Sequence, residues 1–367
     1  MTHVLVARLD SEGDVLLAGP AVRAVAAAPD TEVSLLCGPG GAAAGRLLPG
    51  ARRVLEWASP WIVNPAPPAS PEHVERAVTM LAAHAFDEAV VLTSFHQSPL
   101  PTALLLRLAG VRRITGASVD YPGSLLDVRL RPGDGPGDDL PEDLPETERA
   151  LAIAAAAGFR LPAGDDGRLA VRRSPGVGAL LGPLARRRYV VLHPGAAVPA
   201  RRWPAEHHRR TAALLDEAGL PVVVTGGPGE RELTAAVADG RAVDLGGRTD
   251  LAQLSGVLAG AAALVAGNTG AAHLAAAVGT PVVSLFAPVV RAVRWRPYRV
   301  PQVLLGDQDA PCRDTRARDC PVPGHPCLSR VPPEEVVSAV RRLLPPAAPS
   351  VPVRVPASVR APKEGPS

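Results

Sequence analysis

The chain has 367 residues and a formal charge of +3, with 47% hydrophobic and 20% charged residues. At roughly 100 to 200 residues per domain this length exceeds one small module and allows two cores, and the composition excludes disorder of the chain as a whole. The balanced charge leaves no electrostatic footprint for nucleic acid, and Lys363 is the sole lysine, so a lysine phosphate clamp or Schiff base is excluded from any site.

In chain order, Val4 to Arg8 reads as a strand, followed by the polar loop Asp10-Ser11-Glu12-Gly13-Asp14 and one helix through Val15, Val22 and Val25. Strands are also expected at Val33 to Cys37, Glu88 to Thr93 and Arg113 to Thr115, with a helix from Pro71 to Ala85. Leu130 to Glu146, rich in Pro, Gly, Asp and Glu, reads as a surface loop. A helix from Thr147 to Gly158 follows, and the stretch from Ser174 to Leu184 reads as a linker.

A second alternation begins at Tyr189 to His193. It runs through a helix from Pro204 to Ala218, a strand from Pro221 to Thr225, a helix after Gly229 and a strand from Ala242 to Leu245. Next come a helix at Leu251 to Leu258, a strand at Ala263 to Ala266, a helix at Gly270 to Val278, a strand at Pro281 to Phe286 and a last helix at Pro333 to Leu344. Strand–helix alternation of this kind implies two doubly wound parallel sheets. The expected division is 1–175, 185–344 and a Pro-rich flexible tail, 345–367.

No apolar run reaches the ~18 residues of a membrane span. Met1 to Ala7 is closed too soon by Arg8 and Asp10 for a secretory leader. The expectation is a cytoplasmic protein with at most peripheral contact at the inner face of the membrane.

Chemistry concentrates at expected strand ends. Ala266-Gly-Asn268-Thr269-Gly270-Ala271-Ala272-His273 opens a helix with small residues, so a phosphate can approach the first N–H groups and the positive dipole end. The bland reading is a turn in which Asn268 or Thr269 caps the helix. His193 and Gly195 end another strand and, by the switch-point rule, line the same crevice. Arg201, in Arg201-Arg202-Trp203-Pro204, is suited to a bidentate diphosphate clamp, against the alternative of a solvated basic loop anchored by Trp203. Thr225, Gly226 and Gly227 sit at a third strand end before Glu230, which either accepts from a ribose or base or is an early-turn acid favoured by the helix dipole.

In the first half, Asp14 is placed either to take a proton from an acceptor hydroxyl or to cap its helix. Ser11 in the same loop and Arg294, in the arginine-bearing stretch after the strand at Pro281 to Phe286, are candidate acceptor contacts. Cys312, Cys320, Cys327 and His325 crowd into sixteen positions, but their spacing matches no usual zinc finger. From the residues, a tetrahedral zinc site and a merely structural loop both stay open.

Taken together, the Val4-to-Leu17 opening, His193-Pro-Gly-Ala, the basic-Trp-Pro element, Thr225-Gly-Gly-Pro and Asn268-Thr-Gly-Ala-Ala-His273 resemble glycosyltransferase family 9, the ADP-heptose:lipopolysaccharide heptosyltransferases, over most of residues 1–344. The resemblance implies a GT-B architecture, two Rossmann-like domains facing a cleft, with a nucleotide sugar, ADP-linked, on the second and a glycan or glycolipid acceptor on the first. It also implies inversion without a metal or cofactor, with Cys312, Cys320, Cys327 and His325 in a structural loop. Asp14 would be the base, and the leaving diphosphate would be stabilised by amides at Thr269 to Ala272 and by Arg201. The chain departs from the family where members commonly carry lysine in the basic-Trp-Pro element, here Arg201, and often an aspartate where Asn268 stands. A sugar-nucleotide epimerase and a non-catalytic nucleotide-binding protein are the alternatives. A nicotinamide dehydrogenase is disfavoured because no Gly-x-Gly-x-x-Gly follows a strand in the first half.

Overall fold

The computed structural model describes residues 1–344; the expected flexible tail at 345–367 lies outside the described residues. In the first half the strands are β1 (Thr2–Arg8), β2 (Thr31–Cys37), β3 (Arg53–Glu56), β4 (Glu88–Val91), β5 (Arg113–Ala117) and β6 (Val128–Leu130). Its helices are α1 (Glu12–Leu17), α2 (Gly19–Ala26), α3 (Ala42–Leu47), α4 (Pro71–Ala82), α5 (Leu100–Leu108) and α6 (Glu146–Ala156). A helical turn, α7 (Gly178–Leu181), leads into the second half.

There the strands are β7 (Val190–His193), β8 (Val222–Val224), β9 (Val243–Asp244), β10 (Ala263–Gly267), β11 (Val282–Leu285) and β12 (Gln302–Leu305). The helices are α8 (Ala205–Glu217), α9 (Arg231–Ala238), α10 (Leu251–Ala259), α11 (Gly270–Ala277), α12 (Ala292–Trp295), α13 (Pro326–Ser329) and α14 (Pro333–Leu343).

The first sheet runs β3-β2-β1-β4-β5-β6 and the second β12-β11-β10-β7-β8-β9. All named pairings are parallel. Counted from its own first strand, each sheet has the same doubly wound order, which reverses between β1 and β4 in one and between β7 and β10 in the other. Strands buried on both faces explain the unbroken apolar runs: Val4, Leu5 and Val6 in β1 and Ala263 to Ala266 in β10 have no exposed surface. The expected α/β GT-B architecture is the one observed.

Several elements differ from their reading in the sequence. The single helix expected from Val15 to Val25 is two, because Pro20 lacks the N–H that would continue the ladder and sits in the first turn of α2. The expected surface loop from Leu130 to Glu146 starts in β6 and ends in α6, with Leu140 and Glu146 each 1% exposed. Helices α3 and α5 and strands β3, β6 and β12 were not expected; β6 has only three residues, VRL, and β3 and β12 only four each, RVLE and QVLL, too few for a periodic signal. The expected linker is not free chain. Ser174 hydrogen-bonds Ser255 of α10 at 2.9 Å, and the Pro175 carbonyl lies where a Cβ on Gly256 would fall.

The halves meet where α1 packs against α11. A Cβ at Gly13 would stand 2.8 Å from the His273 ring, and one at Gly270 would stand 3.4 Å from the Glu12 Cβ. The close approach of two helix starts therefore leaves no room for a side chain at Gly13 and little at Gly270.

Candidate active site

A cavity of about 640 Å³ opens between the halves at both sheet reversals. Asp10, Ser11, Asp14, Ser94, His96 and Gln97 line one wall, and Arg201, Asn268, Thr269, Gly270, His273 and Trp295 the other, with Arg316 and Arg318 beside them.

The first wall is built around Arg8, the last residue of β1, which is 2% exposed. Its guanidinium pairs with Asp10 at 2.9 Å, Asp14 at 3.2 Å and Glu146 at 3.2 Å, and donates to the Ser94 hydroxyl at 2.8 Å. Burial works against the Arg8 charge, but the three carboxylates raise its pKa above the ordinary value. Burial pushes the Asp10 and Glu146 carboxyls up, against the pull of Arg8. At Asp14 the outcome reverses. Burial pushes it up too, yet Arg8, the Ser11 hydroxyl at 2.7 Å, the neighbouring His273 and the Trp295 indole N–H at 3.3 Å hold it below its ordinary value. Of the three carboxylates around Arg8, Asp14 alone is held below its ordinary value, and it is 18% exposed at the cavity.

The second wall is mostly backbone and small residues. Burial lowers the His273 pKa to about 4, against the pull of Asp14, and that of His96, beside Arg316, also to about 4; both imidazoles are neutral at pH 7. Arg201 donates to the Asn268 carbonyl at 3.5 Å and pairs with no carboxylate among the described residues. Arg201 Nε, Asn268 Nδ2, Thr269 Oγ1 and His273 Nδ1 are buried and have no hydrogen-bond partner among the described residues. Native interiors seldom leave such groups unpaired. The four residues that carry them line the cavity, while the atoms themselves are covered.

The remaining expected residues lie elsewhere. Ala271 and Ala272 are buried in the core, 5% and 1% exposed. His193, Gly195, Thr225, Gly226, Gly227 and Glu230 form a second group at the ends of β7 and β8. His193 Nδ1 lies 3.0 Å from the Thr225 hydroxyl, and Glu230 Oε2 accepts from the Gly227 N–H at 2.8 Å while covering Gly195. Burial lowers the His193 pKa although Glu230 pulls it up. Arg294, 4% exposed, is not on the cavity wall; it pairs with Glu142 and Asp143 and stacks over Phe95. Cys312 and Cys327 are buried and Cys320 half-buried, all three as free thiols. No group of three or more His, Cys, Asp or Glu side chains is placed to hold a metal among the described residues.

Arg8, Asp10, Glu146 and Trp295 were not singled out from the sequence. An arginine ending an apolar strand, with the three carboxylates Asp10, Glu12 and Asp14 within six positions, is the available signal for Arg8. Nothing local marks Glu146 or Trp295, which arrive from 138 and 281 positions away.

Residues 138–325 match the model of glycosyltransferase family 9 (heptosyltransferase), just over half of the chain. Lipopolysaccharide heptosyltransferase 3 of Escherichia coli is 31% identical over 171 residues, covering 44% of this chain and 48% of that protein. The chain thus spans about half the length of the curated relatives it matches. Among solved structures, the Escherichia coli ADP-heptose lps heptosyltransferase II superposes with a TM-score of 0.71 at 19% identity, over 94% of this chain and 98% of that one. The Escherichia coli heptosyltransferase WaaC with ADP gives 0.65 at 20% identity, over 93% and 100%. No described helix is long and apolar enough to cross a membrane.

Proposed function

Because the chain belongs to glycosyltransferase family 9, we propose that it transfers a sugar, a heptose, from an ADP-linked donor to a hydroxyl of a glycan or glycolipid. The observation that carries this reading is the confrontation in one cavity of Asp14, a carboxylate held below its ordinary pKa, with Arg201 and the start of α11 on the opposite wall. The donor is assigned to the second half, where α11 opens with small residues beside Arg201, and the acceptor to the first.

In this mechanism Asp14 takes the acceptor proton as the hydroxyl oxygen attacks the anomeric carbon from the side opposite the leaving group. The bond from that carbon to the diphosphate oxygen breaks, the anomeric centre inverts, and the nucleoside diphosphate leaves with the bonding pair. Charge growing on it is met by Arg201 and the first N–H groups of α11, donors fixed before the reaction begins. Asn268 offers a neutral amide donor, which suits an anion better than a carboxylate would. The step draws on no metal or cofactor. Glu230 and the glycines at 195, 226 and 227 border the nucleoside end. The 1–175 and 185–344 domains carry acceptor and donor respectively, and the enzyme acts in the cytoplasm with at most peripheral contact with the inner membrane face.

The test is Asp14→Ala with ADP-heptose. We expect ADP affinity by calorimetry to stay within about twofold and ADP release to fall by roughly 10²- to 10⁴-fold, the usual worth of a general base. Undiminished release would refute the base. An epimerised sugar nucleotide with no ADP formed would identify an epimerase, and ADP binding without turnover by the unaltered protein would identify a non-catalytic binder.

A further inference from the structure

Trp295 belongs to α12 of the second half, yet its indole reaches across the cleft to a carboxylate of the first. Its Nε1 donates to Asp14 Oδ1 at 3.3 Å, and the same oxygen accepts from Arg8 at 3.2 Å. The other oxygen, Oδ2, accepts from the exposed Ser11 hydroxyl. One oxygen of the carboxylate is therefore committed to two fixed donors, and the other is held by a hydroxyl that a substrate hydroxyl can displace.

The segment bearing Trp295 is fastened to the first half along its length. Arg294 pairs with Glu142 at 3.4 Å and Asp143 at 3.2 Å, and its guanidinium lies 3.7 Å from the centre of the Phe95 ring. Arg291 pairs with Asp143 at 2.6 Å, the Tyr298 hydroxyl donates to Glu148 at 3.1 Å, and Trp295 meets Phe95 edge-on at 5.6 Å. These contacts join α12 and its flanks to the loop before α6, to α6 itself and to the turn after β4.

We infer that Trp295 is a positioning residue for Asp14: by holding Oδ1 from the opposite domain, it aims Oδ2 at the acceptor hydroxyl when the latch at residues 291–299 is closed. The inference rests on the reading of Asp14 as the base. It makes the base a joint product of both halves, complete only when the donor-side segment is docked.

The charged and titratable groups around Asp14 are Arg8 from β1, Asp10 from the following loop, His96 from the turn after β4, Glu146 from α6, Arg201 from the turn before α8 and His273 from α11. Removing the indole N–H leaves all of these in place and deletes one donor that favours the ionised form. The Asp14 carboxyl must then titrate at higher pH, and the loss falls on turnover rather than on donor binding.

The test is Trp295→Phe, which keeps a ring against Phe95 and removes the N–H. The Asp14 carboxyl is followed by carbon-13 NMR titration without substrate, its resonance assigned from Asp14→Asn, and hydrolytic release of ADP from ADP-heptose is followed in parallel. We expect the titration midpoint to rise by about one pH unit, kcat to fall by about tenfold, the donor KM to stay within about twofold, and the acid limb of kcat to move up with the NMR midpoint. A second variant, Glu142→Gln with Asp143→Asn, unfastens the latch with Trp295 unchanged and should shift the midpoint in the same direction by less. A midpoint equal to that of the unaltered protein in both variants overturns the inference. An NMR shift as expected, in a protein that never releases ADP, upholds the contact and refutes the reading of Asp14 as a base.

Discussion

The two walls of the cleft are built on opposite principles. The first-half wall is an assembly of long side chains gathered from residues 8, 10, 14, 94 and 146 around one buried guanidinium. The second-half wall, from residues 268 to 273, is a consecutive stretch at the start of α11 with the small residues Thr269 to Ala272 between Asn268 and His273. On the function proposed above, with Asp14 as base and the start of α11 as diphosphate site, the difference follows from the work each does. A base must have its proton affinity set, which takes charges brought close from afar in a water-poor setting. A diphosphate site needs only amides and space, which one helix start supplies locally.

The contrast predicts that damage to the first wall costs stability and damage to the second costs binding. The largest effect is expected for Arg8→Met, which leaves three carboxylates buried without their cation and should cost about 3 to 5 kcal/mol, read by urea unfolding at pH 7. Without Arg8, the Asp10 and Glu146 pKa values stand further above their unfolded values. The deficit should therefore shrink as pH falls from 7 toward 5 and both carboxyls take up protons. A loss that does not change with pH would mean that the charges are not its cause.

On the second wall, Arg201→Ala should weaken ADP binding by about 1.5 to 3 kcal/mol in calorimetry, as for a hydrogen bond to a charged group. It should leave the melting temperature nearly unchanged, because Arg201 pairs with no carboxylate among the described residues. A large drop in melting temperature would erase the contrast. The smallest effect is expected for Glu230→Gln, which keeps an oxygen for the Gly227 N–H. It should cost less than about 1 kcal/mol, the scale of a helix cap, measured by thermal unfolding.

The two walls were unequally legible. The motif at Asn268 to His273 announces itself because a strand end, small residues and a helix start are neighbours in sequence as well as in space. Asp14 is legible for the same reason, as a carboxylate in the first turn of the helix that follows β1. Its partners were not: Glu146 was assigned to a surface loop on the strength of surrounding Pro and Asp, and the structure buries it at 1% exposure. Arg294 was read as an acceptor contact because an arginine after a strand end suggests an anion. The structure spends its charge on Glu142 and Asp143 instead.

What the sequence by itself determined is the alternation of apolar strands and helices, the doubly wound class in both halves, and the short motifs at the strand ends, since each depends on residues a few positions apart. Only the tertiary structure decided which helix starts face each other, why Gly13 has no room for a side chain, and which of three carboxylates is held below its ordinary pKa. Those outcomes depend on distances between residues that the chain order separates by tens to hundreds of positions, and on their burial between the two halves.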